Sequence, residues 1–121
     1  MSTIKVDTIK NTSNVEVFTC KAWVNFDGTQ AAASMIRASG NVSSITDNGI
    51  GDYTVNFTTA LTDANYSTTA SAGRNATGTG GYLAAISDQV AQTASATACA
   101  TFNLAGTNLD AVFISCTSFS N

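Results

Sequence analysis

The stretch TDNGIGDYTVNFTT, residues 46–59, decides the fold of this chain. It contains an Asn-Gly pair at positions 48–49, which is the strongest short signal for a β-hairpin turn. After the turn, apolar and polar residues alternate strictly, so that Tyr53, Val55 and Phe57 share one side of the chain. This period of two is typical of a strand that buries one face. The stretch therefore predicts two antiparallel strands joined at this turn.

The same period recurs on both sides of the hairpin. Ahead of it, Ala22, Val24 and Phe26 share one face and Trp23 lies on the other. Behind it, residues 92–102 alternate alanine with threonine, serine or cysteine. Alanine alone favours a helix, but the strict alternation and the β-branched threonines favour a strand. The alanine face of this strand would let another sheet or subunit approach closely.

The remaining segments complete an all-β pattern. Val42 and Ile45 are three residues apart, which breaks the alternation and predicts a bulge. Residues 109–119 carry apolar residues on both faces, which predicts a central strand covered on both sides. About eight strands, separated by turns rich in glycine, asparagine and aspartate, predict an antiparallel β-sandwich over residues 21–121. Residues 1–20 alternate only weakly and are predicted to form an N-terminal arm.

Composition excludes several functional classes. The chain has 121 residues, a net charge of −3, no histidine and no proline. Without histidine it lacks the commonest general base and a common metal ligand, so we expect no enzyme activity, no metal and no cofactor. The sequence has no basic patch of the kind that is typical of nucleic-acid binding. No apolar run approaches the ~20 residues that span a bilayer. The opening residues lack the apolar stretch of a signal peptide, so we expect synthesis in the cytoplasm.

The core predicted from this composition is thin. Apolar residues make up 44% of the chain, but 19 of them are alanine. Small domains with thin cores usually gain stability from disulfides, metals or partner subunits. The three cysteines, Cys20, Cys99 and Cys116, are an odd number without metal-ligand spacing, and we expect free thiols buried on strands. The composition therefore favours an oligomer.

Two small groups of residues leave alternatives open. Asp47, Asn48 and Asp52 could chelate a hard cation, but their spacing does not match a calcium loop and a hairpin turn accounts for them. Three aromatic residues could either stack on sugars or pack in the core. They are Trp23, Tyr66 and Tyr82.

Several long stretches of sequence in the first half of the chain resemble a known family. Residues 21–29, 36–39, 41–49 and 51–60 resemble a block found in tail fibre and other virion proteins of tailed bacteriophages of aquatic bacteria, including cyanophage-like proteins. The opening STIKVDTIK is similar to the start of such proteins. The resemblance covers roughly residues 1–66. It implies a virion component, usually a homotrimer, whose β-domain belongs to a host-attachment fibre, and it implies no catalytic residues.

The resemblance also implies partners for the arm. We expect a location in the virion tail, with the arm docking onto other tail proteins by β-addition. Five apolar positions of the arm are expected to make that contact: Ile4, Val6, Ile9, Val15 and Val17. Two alternatives stay open: a head-decoration or other structural virion protein without a receptor role, and a carbohydrate-binding module.

The host would then be touched at the end of the sandwich far from the arm. Residues 73–82 form a glycine-rich loop that is long for a hairpin. The candidate contacts with a host surface glycan or protein offer a guanidinium group, two hydroxyls and an aromatic ring. They are Arg74, Thr77, Thr79 and Tyr82. The alternative is a simple glycine-rich connector.

Overall fold

The computed structural model describes residues 2–14, 19–74, 81–87 and 89–120. In these ranges eight strands form two four-stranded antiparallel sheets, which confirms the predicted all-β sandwich. The strands are β1 (Cys20–Phe26), β2 (Ile36–Gly40), β3 (Val42–Gly49), β4 (Asp52–Phe57), β5 (Ser67–Gly73), β6 (Tyr82–Ile86), β7 (Ala96–Asn103) and β8 (Phe113–Phe119). A single 3₁₀ turn, Ala32–Ser34, precedes β2. No helix among the described residues has the length and apolar character needed to cross a membrane.

The two sheets enclose one apolar core. Sheet I has the strand order β2-β1-β8-β5, and sheet II has the order β3-β4-β7-β6. Two edge-to-face aromatic pairs join the sheets: Phe26 with Tyr53 at 5.2 Å, and Phe57 with Tyr66 at 5.6 Å between ring centres. The predicted faces of β1 and β4 are confirmed, because their alternate apolar residues are the ones buried.

The central hairpin forms, but its turn lies two residues after the predicted Asn-Gly pair. Strands β3 and β4 pair in antiparallel register with Ile45 opposite Val55 and Gly49 opposite Asp52, so Ile50 and Gly51 form the turn and Asn48 and Gly49 end β3. The register shifts between Val42 and Ser44, which confirms the predicted bulge. Gly51 has a φ of +65°, and its carbonyl oxygen accepts a hydrogen bond from the Thr101 amide at 2.8 Å. A side chain there would collide with the backbone of the neighbouring strand.

Two expectations about the C-terminal strands are wrong. Residues 92–95 form a turn rather than strand, because the Thr93 hydroxyl accepts hydrogen bonds from the amides of Ser95 and Ala96. The alanine face of β7 does not meet the other sheet: Thr97 and Cys99 lie opposite Val55 and Tyr53 and face the core. The alanines therefore lie on the outer face of sheet II, and the other expected contact, with a subunit, stays a prediction.

Strand β8 is central in its sheet but covered on one face. It pairs with β1 on one side and β5 on the other. Ile114 and Cys116 are buried, whereas Phe113 and Phe119 are exposed on the outer face. The prediction of cover on both faces is therefore wrong, and the outer face of sheet I carries exposed rings.

The register of the strands gives the sandwich two distinct ends. At the arm end, β1 begins, β8 ends and the chain enters from the arm. At the loop end, three connections meet among the described residues: 27–35, 49–51 and 104–112. Hydrogen bonds place them together, since the Gly28 amide donates to the Ala111 carbonyl and the Gly51 amide donates to Asp110 Oδ1, both at 2.8 Å.

Candidate functional site

A part-buried hydrogen-bond network ties two connections of the loop end together. The hydroxyl of Tyr53, which is fully buried, donates to Oδ1 of Asp110 at 2.7 Å. The Gly51 amide donates to the same oxygen at 2.8 Å. Burial and this bond to Asp110 raise the pKa of Tyr53 above its ordinary value, so the phenol remains a neutral donor. The network fixes the hairpin turn against the loop that precedes β8.

An ion pair fixes a further connection at the same end. The Arg37 guanidinium contacts Asp27 Oδ2 at 2.8 Å and donates to the Val112 carbonyl at 2.6 Å. It also stacks over the Phe113 ring, 4.6 Å from its centre. Burial opposes ionisation of Asp27, but hydrogen bonds from Thr29 and the charge of Arg37 hold its pKa below the ordinary value.

Two of the predicted receptor residues lie together at the loop end. The Arg74 guanidinium carbon is 5.7 Å from the centre of the Tyr82 ring, at the edge of cation–π range. Arg74 is exposed, whereas Tyr82 is half-buried and packs against the core. Tyr82 therefore has a packing role that the sequence pattern did not indicate. Thr77 and Thr79 lie outside the described residues.

Three of the five predicted docking residues are described, and they lie outside the core. Ile4, Val6 and Ile9 are exposed, with 89% of the Ile4 surface accessible. Val15 and Val17 lie outside the described residues. A turn interrupts the arm at residues 11–14, where Asn11 Oδ1 accepts a hydrogen bond from the Ser13 amide at 2.9 Å. The arm thus presents apolar side chains without contributing to the described core.

The structure separates the aromatic candidates. Tyr66 is a core residue whose hydroxyl lies 2.9 Å from the Thr93 carbonyl and 2.7 Å from the Ala96 carbonyl, and burial raises its pKa. Trp23 is exposed on the outer face of sheet I, with its indole lying over Gly40.

The polar residues of the hairpin serve different roles. Asp47 accepts the Gly49 amide at 3.0 Å, and Asn48 donates to the Thr54 hydroxyl at 2.9 Å, so both stabilise the turn. Asp52, in contrast, lies on the outer face of sheet II beside Ala100.

The cysteine expectation is confirmed for two of the three thiols. Cys99 and Cys116 are buried in the core, whereas Cys20 is exposed. The neighbouring Cys116 thiol and burial raise the pKa of Cys99, which keeps it protonated and unreactive.

A groove on the outer face of sheet II was not predicted. It has a volume of about 270 Å³. Its floor is formed by Ala85 and Ala100, which are opposite each other on β6 and β7. The wall and rim residues are Asp52, Ile86, Ser87, Gln89, Phe102 and Asn108. The alternating alanines were the available signal in the sequence, but small side chains on one face equally predict a packing contact. We call this feature the alanine groove.

No protein-family model, curated protein or solved structure matches this chain. Its function is therefore inferred from the residues and geometry above.

Proposed function

We propose that this protein is a structural component of a phage virion, a short tail fibre or fibre knob that attaches the particle to the host cell. The observation that carries the proposal is the contrast between two parts of the molecule. The arm exposes apolar side chains outside the core, and the loops at one end of the sandwich are braced by hydrogen bonds and an ion pair. The resemblance of residues 1–66 to tail fibre proteins supports the same assignment.

The arm is suited to docking because of its pattern. Ile4 and Val6 are two residues apart, so they project from the same side of an extended segment. Extended segments of this kind add to the exposed edge of a sheet in a partner, where backbone hydrogen bonds supply affinity and alternate side chains supply specificity. A second virion protein would provide that edge.

The loop end is suited to contact with the host because it is pre-organised. The network around Tyr53 and the ion pair of Arg37 hold three connections in place before any ligand arrives. Binding by ordered loops loses less conformational entropy than binding by loops that must first become ordered. Arg74 projects from this end and is the leading candidate for contact with an acidic group of a host glycan or protein.

The outer face of sheet I is the proposed subunit contact of a homotrimer. Trp23, Phe113 and Phe119 are each 42–44% exposed there. Exposed apolar side chains grouped on one face mark interaction surfaces. This face replaces the alanine face of β7 as the expected interface, and light scattering of the purified chain should give about three times 12.4 kDa.

Deletion of residues 2–19 tests the docking role. The truncated chain should retain the circular dichroism spectrum of a folded β-sandwich, because the described arm residues contribute nothing to the core. It should fail to enter virions in a complementation assay. A matched control replaces Lys5, Asp7 and Lys10 by Ser and should incorporate normally, whereas replacement of Ile4, Val6 and Ile9 by Ser should not. Normal incorporation of the truncated chain would refute the docking role.

The Arg74→Ala variant tests the host contact. Because Arg74 is exposed, its loss should change stability by no more than about 0.5 kcal/mol. Binding of the fluorescently labelled protein to host cells should fall several-fold, whereas Lys21→Ala at the arm end should bind normally. Equal binding by both variants would place the host contact elsewhere. Immunogold labelling of intact particles separates a tail location from a capsid location.

A further inference from the structure

We propose that the alanine groove binds one pyranose ring of a neutral glycan. This inference rests on the proposed attachment function, because it names the chemistry of the host ligand. It concerns a surface distinct from Arg74.

The shape of the groove follows from residue size. Asp52, Ala100 and Ala85 lie in one row across three strands, so two methyl groups occupy the middle of the sheet surface. In the next row Leu83 lies opposite Phe102, and both side chains are much larger. The step in size creates a depression of about 270 Å³. Pockets for drug-sized ligands begin near ~300 Å³, so this groove suits a single ring.

The chemistry of the wall matches a polyhydroxylated ring. A sugar hydroxyl both donates and accepts, and Asp52 is an acceptor while Asn108 and Gln89 offer both donors and acceptors. Ser87 Oγ is 3.4 Å from Asp52 Oδ1, a long hydrogen bond that a ligand hydroxyl can replace. The half-buried Phe102 ring supplies an apolar surface for the C–H face of the sugar.

The charge of the groove selects among saccharides. Among the described residues that line the groove, Asp52 is the one ionisable side chain, so its charge makes the local potential negative. A uronic or sialic acid would meet a like charge, which disfavours its binding. The groove is therefore specific for neutral sugars, whereas Arg74 at the loop end is the site suited to an acidic group.

Chemical-shift titration of the ¹⁵N-labelled full chain tests this inference. The probes are D-galactose, D-glucose, D-mannose and N-acetyl-D-glucosamine at millimolar concentration, with D-glucuronate as the charged comparison. We expect at least one neutral sugar to shift the amides of Ala85, Ala100 and Asn108, with much smaller shifts from glucuronate. Asp52→Asn and Asn108→Ala should each weaken binding about ten-fold, the scale of one hydrogen bond to a charged or polar group. Asp63→Asn makes the same chemical change away from the groove and should bind normally.

Three outcomes of the sugar titrations would overturn the inference. They are no shift of the groove amides with any neutral sugar, unchanged affinity in Asp52→Asn, and equal binding of glucuronate. Shifts of the same amides on dilution of the protein alone would instead identify the groove as a contact between copies, which also overturns it. This result is separable from a test of the proposed function. A chain that enters virions but binds no sugar would refute only the sugar site, and a chain that binds sugar but never enters virions would refute only the virion function.

Discussion

The buried hydroxyl of Tyr53 is the most informative single atom to remove. Tyr53→Phe keeps the ring and its edge-to-face contact with Phe26, and it deletes the hydrogen bond to Asp110. Asp110 keeps the bond from the Gly51 amide, so the hairpin and the loop lose one of two shared contacts. The variant therefore isolates the energy of the network that braces the loop end.

The size of the effect can be worked out from the structure. A hydrogen bond to a charged group contributes about 1.5–3 kcal/mol, and the lower end applies because Asp110 is exposed and water can replace the lost donor. The raised pKa of Tyr53 adds a pH dependence. An unfolded tyrosine ionises near pH ~10, so above that pH the unfolded state gains about 1.4 kcal/mol per pH unit that the folded state does not. The stability contributed by Tyr53 is thus complete below pH 10 and falls as the pH rises further.

Urea unfolding from pH 7 to pH 11 measures both the stability that the Tyr53 hydroxyl contributes and its pH dependence. Tyr53→Phe should be less stable than wild type by about 1.5 kcal/mol at pH 7, and the difference should almost vanish near pH 11. Tyr82→Phe removes the same atom from a half-buried ring and should stay within about 0.5 kcal/mol at pH 7. A difference that stays constant with pH, or a Tyr53→Phe variant as stable as wild type, would refute the network.

Two further substitutions test other contacts. Gly40→Ala should lower stability by about 1–3 kcal/mol and shift the fluorescence of Trp23, because the added methyl overlaps the indole. Gly81→Ala serves as the control, since a methyl there meets Leu104 at an ordinary 3.6 Å. An unshifted spectrum of Gly40→Ala would contradict the contact. Asp27→Asn should destabilise the chain by at most about 1 kcal/mol at pH 7. The loss of stability should shrink as the pH falls below ~4, because the lowered pKa of Asp27 stabilises the folded state only while the carboxyl group is ionised. A pH-independent loss in urea titrations would exclude the ion pair with Arg37 as its cause.

The fold was predictable because its strongest signals are local. The turn signal of residues 47–52 and the alternation of Tyr53, Val55 and Phe57 lie within a few residues of each other. The structure has a hairpin there, although its turn is formed by Ile50 and Gly51 and not by the Asn-Gly pair. The boundary of β7 was not predictable from alternation, because the Thr93 side chain competes for the amides of the next residues and forms a turn.

The site was less predictable because it depends on partners distant in sequence. Asp110 is 57 residues from Tyr53, and nothing in the local pattern of either residue indicates the other. The alanine groove has the same origin, since Asp52, Ala85 and Ala100 come from three strands. Alternation showed that the alanines share a face, but it could not show which face meets the core.

The polar composition explains how a thin core holds ordered loops. Asparagine, glutamine and threonine side chains bond to backbone groups at both ends of the sandwich. Asn41 donates to the Lys21 and Thr59 carbonyls, Gln92 donates to the Ala64 and Tyr66 carbonyls, and Thr101 donates to the Leu109 carbonyl. Among the described residues, no buried side-chain nitrogen or oxygen lacks a hydrogen-bond partner. Each such bond adds about 1 kcal/mol, and it fixes a connection that apolar packing does not reach. A surface built this way is rigid before it meets a ligand, which is the property that the proposed attachment function needs in a chain with few large apolar residues.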